Sequence, residues 1–367
     1  MQKVELALAG GRGYAIHVGH GILPALGEEC ARLGLGPRVA AVADAAVTAS
    51  CLAPATASLG AAGFAVEEIL YDGGEAGKNL SSLEAILGRL IEAELDRGSW
   101  ILAVGGGVVG DLAGFAAATY QRGIDFVQVP TTVVAQVDAS VGGKTAVNHR
   151  LGKNMVGAFH QPRLVWIDTH SLRSLPREER AAGFGEVVKH AVIRDPELFD
   201  VLEAHLEEAV DLRLDPERLD WLITRNVEIK AAVVGADERE GGVRAILNYG
   251  HTIGHAIEAA TGYSAYRHGE AVALGMLGAA EIAARRNLWP VADRQRHDAL
   301  LERLGVRPGL SQVPAAQIVA RTRADKKRRD GRLRFVLPRR LGEVTLCGDV
   351  EEDEVRAAVT HLQERYP

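Results

Sequence analysis

The sequence predicts an α/β protein: an N-terminal domain built on a parallel sheet, followed by an all-α C-terminal domain. Three observations carry that reading. Up to about residue 168, short β-type runs alternate with amphipathic helical patterns; from about residue 176 long helical stretches with few β-branched runs take over; and one apolar run ends in a glycine-rich turn that opens a helix. At 367 residues the chain suits two domains, with the division expected as 1–173 and 174–367.

In order, residues 38–43, 65–71, 100–104 and 125–129 read as strands, and residues 22–33 and 81–95 as amphipathic helices between them. Strands separated by helices imply crossovers and a parallel sheet, whose ligands gather at the carboxyl ends of the strands. Residues 197–209, 216–233, 250–261, 269–286 and 292–304 read as the helices of the second domain. A hairpin at 333–337 and 343–347 and a last helix at 352–366 complete the chain. Neither repeats nor low-complexity segments appear.

The composition, 47% hydrophobic and 25% charged, is that of a globular protein able to bury a large core. Forty-two Lys and Arg against 48 Asp and Glu give a net charge of −6, which argues against nucleic acid or an anionic membrane as partner. An anionic substrate would need a local basic pocket. Residues 1–8 alternate polar and apolar without the long apolar stretch of a signal peptide, and no run of about 18 apolar residues suggests a membrane span. Cys30, Cys51 and Cys347 form no C-x-x-C pair and read as buried or incidental thiols of a protein in a reducing cytoplasm.

After the apolar strand ending at Val104 comes Gly105-Gly106-Gly107-Val108-Val109-Gly110-Asp111, which satisfies G-x-G-x-x-G and leads into a helix. Glycines let backbone N–H groups approach a pyrophosphate, and the helix N-terminus favours the anion, so this reads as a Rossmann-like nucleotide site; a tight strand-to-helix turn is the plain alternative. Asp44, closing the strand 38–43, suits a ribose better than Asp125, which opens a strand. The turn Asp72-Gly73-Gly74-Glu75-Ala76-Gly77-Lys78 sits at another strand end and reads either as a second nucleotide contact or as a polar helix cap.

His251 and His255 stand four residues apart in Asn248-Tyr249-Gly250-His251-Thr252-Ile253-Gly254-His255, so on a helix they share one face. His268 precedes another helix, and Gly185-Glu186 lies in a glycine-flanked stretch that also holds Lys189 and His190. Two histidines and a carboxylate leave a fourth position open, as a catalytic zinc requires. Glu186 reads equally as a surface helix residue and His190 equally as a ligand; spacing does not separate them. In the stretch 130–159, lysines beside glycines (Gly142-Gly143-Lys144-Thr145 and Gly152-Lys153-Asn154) have the make-up of anion-binding loops. Asp138 stands where a P-loop needs its first glycine, so a P-loop ATPase is not supported.

Five segments, in order, resemble the 3-dehydroquinate synthase family of sugar phosphate cyclases: the glycine turn 105–111, Gln136-Val137-Asp138-Ala139-Ser140 through Asn148, residues 152–159, the segment 248–256, and His268-Gly269-Glu270-Ala271-Val272. The likeness runs from about Asp44 to about residue 327. It implies NAD and a divalent metal as cofactors, zinc first and cobalt as the alternative. The metal ligands would be Glu186, His251 and His268, leaving His255 to bond substrate or relay protons. Asp44, Glu75, Lys78, Gly106, Gly107, Val108, Asp111, Thr131, Thr132 and Asp138, with Lys144 and Lys153, would line the cofactor. Arg122, Lys144, Lys153, Asn154, Lys189, Lys230, Arg244, Asn248 and His255 would serve the substrate's phosphate, carboxylate and hydroxyls.

The reaction so implied turns 3-deoxy-D-arabino-heptulosonate 7-phosphate into 3-dehydroquinate, a step toward aromatic amino acids: C5 oxidation, loss of phosphate, re-reduction, ring opening and aldol closure. The resemblance also implies a homodimer. Another sugar phosphate cyclase, a metal-dependent polyol dehydrogenase and a non-catalytic nucleotide-binding module are the rival readings. The basic runs 326–329 and Arg339-Arg340 read as solvated, with one member reaching the phosphate as the alternative.

Overall fold

The computed structural model describes residues 1–305, 307, 309–322 and 334–367. The basic run 326–329 and the first residue of the expected hairpin lie outside the described residues. Contacts divide the chain into two compact units: Met1–Pro176 with Leu214–Arg239, and Arg177–Arg213 with Glu240–Pro367.

The first unit contains β1 (Gln2–Ala7), β2 (Gly13–Gly19), α1 (Leu26–Arg32), β3 (Arg38–Asp44), α2 (Ala53–Ala61), β4 (Ala65–Tyr71), α3 (Leu80–Glu92), β5 (Trp100–Gly105), α4 (Gly107–Thr119), β6 (Asp125–Pro130), β7 (Lys144–His149), β8 (Gly152–Phe159) and β9 (Leu164–Asp168). The seven-stranded sheet runs β1-β2-β9-β6-β5-β3-β4, parallel throughout except where β1 pairs with β2. Strands β3, β5 and β9 are almost wholly buried, because helices cover both faces of a parallel sheet. One face packs Val42, Ile101, Leu112 and Phe126 together, the other Val39, Leu102, Trp100 and Trp166. Each such side chain contributes about 1.5–3 kcal/mol of burial. Cys30 and Cys51 are buried there as free thiols, and burial pushes Cys30 up to about 12.

The second unit opens with α5 (Arg177–Arg194) and α6 (Pro196–Val210), the latter started by Asp195, whose side chain accepts from the Leu198 N–H. Helix α7 (Pro216–Ala236) returns to the first unit, so the second unit is not one continuous 174–367 segment. The reason is local: α7 packs on β1, its Asp220 accepts from Thr169 Oγ1 at 2.6 Å, and a Cβ on Gly235 would lie 2.9 Å from the Ala7 carbonyl oxygen. The second unit continues with α8 (His251–Ala260), α9 (His268–Arg285), α10 (Val291–Arg303), α11 (Ala315–Thr322), β10 (Phe335–Arg340), β11 (Glu343–Cys347) and α12 (Glu352–Arg365). Its hairpin β10-β11 is a two-stranded addition to an otherwise helical body. Among the described residues, no helix is long and apolar enough to cross a membrane.

Two segments differ from the sequence reading. The stretch 130–159 is not one long loop: Ala135–Ala139 makes an irregular helical turn, and β7 and β8 pair as a hairpin. Its anchor is tight packing on α4, where a Cβ on Gly114 would fall 2.5 Å from Thr145 Cγ2. The sequence hides this because no residue of β8 is fully buried and only Val156 and Ala158 pack against the core. Helix α5 is equally obscure, since Ala181–Ile193 is buried almost all round and so shows no amphipathic period.

Candidate active site

In the first unit the strand order reverses between β3 and β5, β4 lying beyond one and β6 beyond the other. Open α/β sheets bind ligands in the crevice at such a point. The two strand ends that flank it are Asp44 and Gly105. Asp44 turns the chain by accepting from the Ala46 N–H at 2.9 Å, and a Cβ on Gly105 would lie 3.3 Å from Asp44 Cβ. Gly106 is the N-cap of α4 and no side chain caps that helix, which leaves its first N–H groups for an anion. A Cβ on Gly106 or Gly107 would come within 3.0 Å of Thr132 Cγ2 or 3.2 Å of Ala139 Cβ, so glycine keeps this cradle open. Val108 packs its partly buried side chain on the core. Gly110 serves packing instead, because its Cβ would meet Gln128 Oε1 at 2.7 Å, and glycine there lets α4 lie close on β6.

The neighbouring backbone is fixed by Thr131, whose N–H donates to the Gly105 carbonyl at 2.9 Å, and by Thr132 Oγ1, which accepts from the Ala135 N–H. Asp138, in the irregular turn, accepts from the Lys230 ammonium of α7. A second network joins Glu75, Lys78, Asp111, Lys153 and Asn154. Buried Lys78 donates to Asp111 Oδ2 at 2.5 Å and to Asn154 Oδ1 at 2.8 Å. Asn154 is in the left-handed region at φ +52 and is held there by its N–H donating to Asn148 Oδ1; Asn148 Nδ2 in turn donates to Glu75 Oε1 at 2.7 Å. Lys153 Nζ lies 3.9 Å from the same Glu75 oxygen, and the exposed Lys144 opens β7. Burial pushes the Asp111 carboxyl up to about 6, against the opposing pull of the Lys78 ammonium. Arg122 is not brought to this region within the chain. It follows the far end of α4, a 13-residue helix, and so lies about 20 Å from the glycine turn.

In the second unit, α5, α8 and α9 meet through glycines. A Cβ on Gly269 would lie 1.7 Å from the Ala182 carbonyl oxygen, one on Gly275 1.9 Å from that of Gly250, and one on Gly254 2.8 Å from that of Ala271. Four of the candidate ligands, though not His190, are next in sequence to a glycine of these contacts: Glu186 to Gly185, whose Cβ would lie 2.9 Å from the Gly269 carbonyl oxygen, His251 to Gly250, His255 to Gly254 and His268 to Gly269. Close helix approach therefore sets where these four side chains stand.

Glu186 is fully buried, which removes the reading of it as a surface residue. One of its oxygens pairs with the Lys189 ammonium; the other, Oε1, lies 3.4 Å from His251 Nε2 and 3.4 Å from His268 Nε2. Ligands about 2.0–2.1 Å from a tetrahedral ion stand about 3.4 Å apart. Both Glu186–histidine distances therefore match the separation of two ligands on one zinc-like ion. Both rings are also turned by their other nitrogen: His251 Nδ1 faces the Tyr249 carbonyl at 3.1 Å, and His268 Nδ1 the buried carboxylate of Glu258 at 3.3 Å. His255 joins the cluster, with ligand atoms of His251, His255 and His268 all within 4.8 Å. Burial disfavours the His268 imidazolium, but bonds and attraction from Glu186 and Glu258 outweigh it and raise the ring to about 10. On the same unit Lys189 and His190 are fully buried on α5, Arg244 is buried in the short helical turn Val243–Asn248, and Asn248 Nδ2 donates to Glu240 Oε1 at 3.0 Å.

The sequence reading missed Glu258 and Asn148. Glu258 follows His251 by seven residues and His255 by three, the same helix face, so spacing alone pointed to it. Asn148 carried no signal, being one polar residue in a polar stretch.

Two family models match end to end, 3-dehydroquinate synthase N-terminal over residues 68–182 and 3-dehydroquinate synthase C-terminal over 183–328. A 3-dehydroquinate synthase of Nostoc punctiforme is 46% identical over 94% of this chain and 95% of its own. Among solved structures, a 2-deoxy-scyllo-inosose synthase complexed with carbaglucose-6-phosphate, NAD+ and Co2+ superposes with a TM-score of 0.87 at 30% identity, covering 98% of this chain and 99% of that one. A 2-epi-5-epi-valiolone synthase from Streptomyces hygroscopicus subsp. jinggangensis 5008, with NAD+ and Zn2+ bound, gives a TM-score of 0.87 at 30% identity over 96% and 97%. A glycine cradle at the sheet's switch point and a converging His/Glu set thus recur in a chain matched along nearly its whole length, and it belongs to the 3-dehydroquinate synthase family.

Proposed function

We propose that the chain converts 3-deoxy-D-arabino-heptulosonate 7-phosphate into 3-dehydroquinate and phosphate, with NAD and a zinc or cobalt ion as resident cofactors. The observation that carries this reading is the convergence of His251 Nε2 and His268 Nε2 on Glu186 Oε1 in a chain of this family. When bound, NAD supplies a reversible hydride acceptor and the ion supplies Lewis acidity at the alcohol being oxidised.

The chain's own residues do the rest. Glu186, His251 and His268 hold the ion, and the uncapped start of α4 with Asp44, Thr131, Thr132 and Asp138 holds the nucleotide. Glu75 and Asp111 keep the Lys78–Asn154–Lys153 region in shape beside it. Lys144, Lys153 and Asn154 stabilise the charge on a departing phosphate, which calls for oriented cations rather than a strong base. Lys189, Lys230, Arg244 and Asn248 take the carboxylate and hydroxyls, and His255 relays protons. Asp138 aims the Lys230 ammonium, and the Glu240 carboxylate orients the Asn248 amide.

We assign the nucleotide to the first unit and the metal to the second. We further propose a cytoplasmic homodimer that acts on a small phosphate ester and not on nucleic acid. The free, buried thiols of Cys30 and Cys51 and the net charge of −6 support this reading. Light scattering on purified protein tests the dimer; a monomer at micromolar concentration rejects it.

The activity is tested by incubating the protein with the heptulosonate phosphate, NAD and zinc, with and without chelator, and identifying the carbon product. Chelator-sensitive formation of 3-dehydroquinate supports the reading. Turnover only of a carboxylate-free sugar phosphate would assign the chain to another cyclase.

A further inference from the structure

The tautomer of His251 is set by the Tyr249 carbonyl, which takes the Nδ1 proton and leaves Nε2 to face Glu186. That carbonyl is not part of a regular helix. Tyr249 has extended ψ (126), and Gly250 after it is left-handed at φ +79. The orientation of this peptide therefore depends on what anchors Tyr249.

The anchor is a line of buried side chains from another helix. Tyr249 and His297 of α10 are both fully buried, with Tyr249 Oη 3.0 Å from His297 Nε2. His297 Nδ1 lies 2.9 Å from Asp298 Oδ1, and Asp298 Oδ2 accepts from Arg365 Nη1 at 3.0 Å. Trp289 closes the far side, its ring 4.8 Å from that of His297. The bond directions follow from chemistry. An ionised carboxylate only accepts, so His297 donates from Nδ1 to Asp298; in the neutral ring Nε2 is then a lone pair that accepts from the Tyr249 hydroxyl, which also lies 3.4 Å from the Met276 carbonyl oxygen of α9.

We propose that the Asp298–His297–Tyr249 chain is a positioning device for the metal ligand His251, fixing the tautomer and the direction of Nε2 through the Tyr249 main chain. The inference rests on the reading of His251 as a ligand. Groups that orient a ligand are worth about 10–100-fold in metal affinity.

The test compares zinc affinity, by competition with a chromophoric chelator, and the visible spectrum of the cobalt-loaded protein. Tyr249→Phe deletes one hydroxyl and keeps the ring; it is expected to weaken zinc binding about 10-fold or more and to shift the cobalt bands. Asp220→Asn is the control. Asp220 is a buried carboxylate of α7 in the first unit that accepts from Thr169 Oγ1 at 2.6 Å, outside the Tyr249–His297–Asp298 line, and its loss is expected to lower Tm without changing zinc affinity. Wild-type zinc affinity and cobalt bands in Tyr249→Phe overturn the proposal, as does an equal loss of affinity in Asp220→Asn. A wild type that binds no zinc overturns the ligand reading and this inference with it. Should Tyr249→Phe not fold, Asp298→Asn carries the same test, since it removes the acceptor that fixes the His297 tautomer.

Discussion

Gly275→Ala gives the sharpest test of how the metal cluster is built. The added methyl would stand 1.9 Å from the Gly250 carbonyl oxygen and 2.7 Å from the Gly254 nitrogen, both main-chain atoms of the segment that carries His251 and His255. Ordinary contact begins near 3.4 Å, so α8 must retreat from α9 by about 1.5 Å or the helices must distort. Overpacking of this kind costs about 1–3 kcal/mol. It also moves His251 against His268 by several times the roughly 0.2 Å tolerance of a metal bond. The assay is zinc affinity by chelator competition, with thermal unfolding of metal-free protein alongside. The expected result is a Tm several degrees lower and affinity reduced about 10-fold or more. Gly278→Ala, whose methyl would meet only the Ile253 Cδ1 and Leu362 Cδ1 ends of flexible side chains, should leave affinity near wild type. If Gly275→Ala binds zinc and unfolds like wild type, close glycine contact is not what places the ligands.

Other outcomes follow from the same geometry. Lys153→Ala should lose on the order of 100-fold in kcat with unchanged circular dichroism and Tm; near-normal phosphate release would remove Lys153 from the site. Glu258→Gln should weaken zinc binding about 10-fold, read by the same competition, because His268 loses the carboxylate at its Nδ1. Burial raises the Asp111 carboxyl in the folded chain from its ordinary 3.8 to about 6, so its contribution to stability is full below the unfolded pKa and is lost as pH rises through 6. Between pH 5 and pH 7.5 that loss is about 1 kcal/mol. Urea unfolding should show this slope in wild type and a shallower one in Asp111→Asn; identical slopes would contradict the burial argument.

The parts legible in the sequence were those with local chemistry. The strand ending at Gly105, its glycine turn and the start of α4 form one continuous signal, and the two-histidine period of α8 forms another. In the folded chain the first is a strand, turn and uncapped helix start, and the second sets His251 and His255 close together on α8. What stayed hidden was set by tertiary packing. Helix α7 looks like its helical neighbours, yet Asp220, Lys230 and Gly235 tie it to the first unit. Helix α5 has no polar face to betray its period, so neither its extent nor the depth of Glu186 was visible. The hairpin β7-β8 packs on α4 at Gly114, a contact that its own sequence does not announce. Spacing could place Arg122 only just beyond α4, and in the folded chain that is the end away from the glycine turn.

In a cyclase of this family NAD is reduced and reoxidised within one turnover while phosphate leaves. Phosphate release and absorbance of the reduced nicotinamide can be followed together, in one cuvette, with zinc-loaded protein, NAD and the heptulosonate phosphate. Steady phosphate release with no net accumulation of NADH is the expected result. Accumulating NADH without phosphate would instead mark the chain as a dehydrogenase.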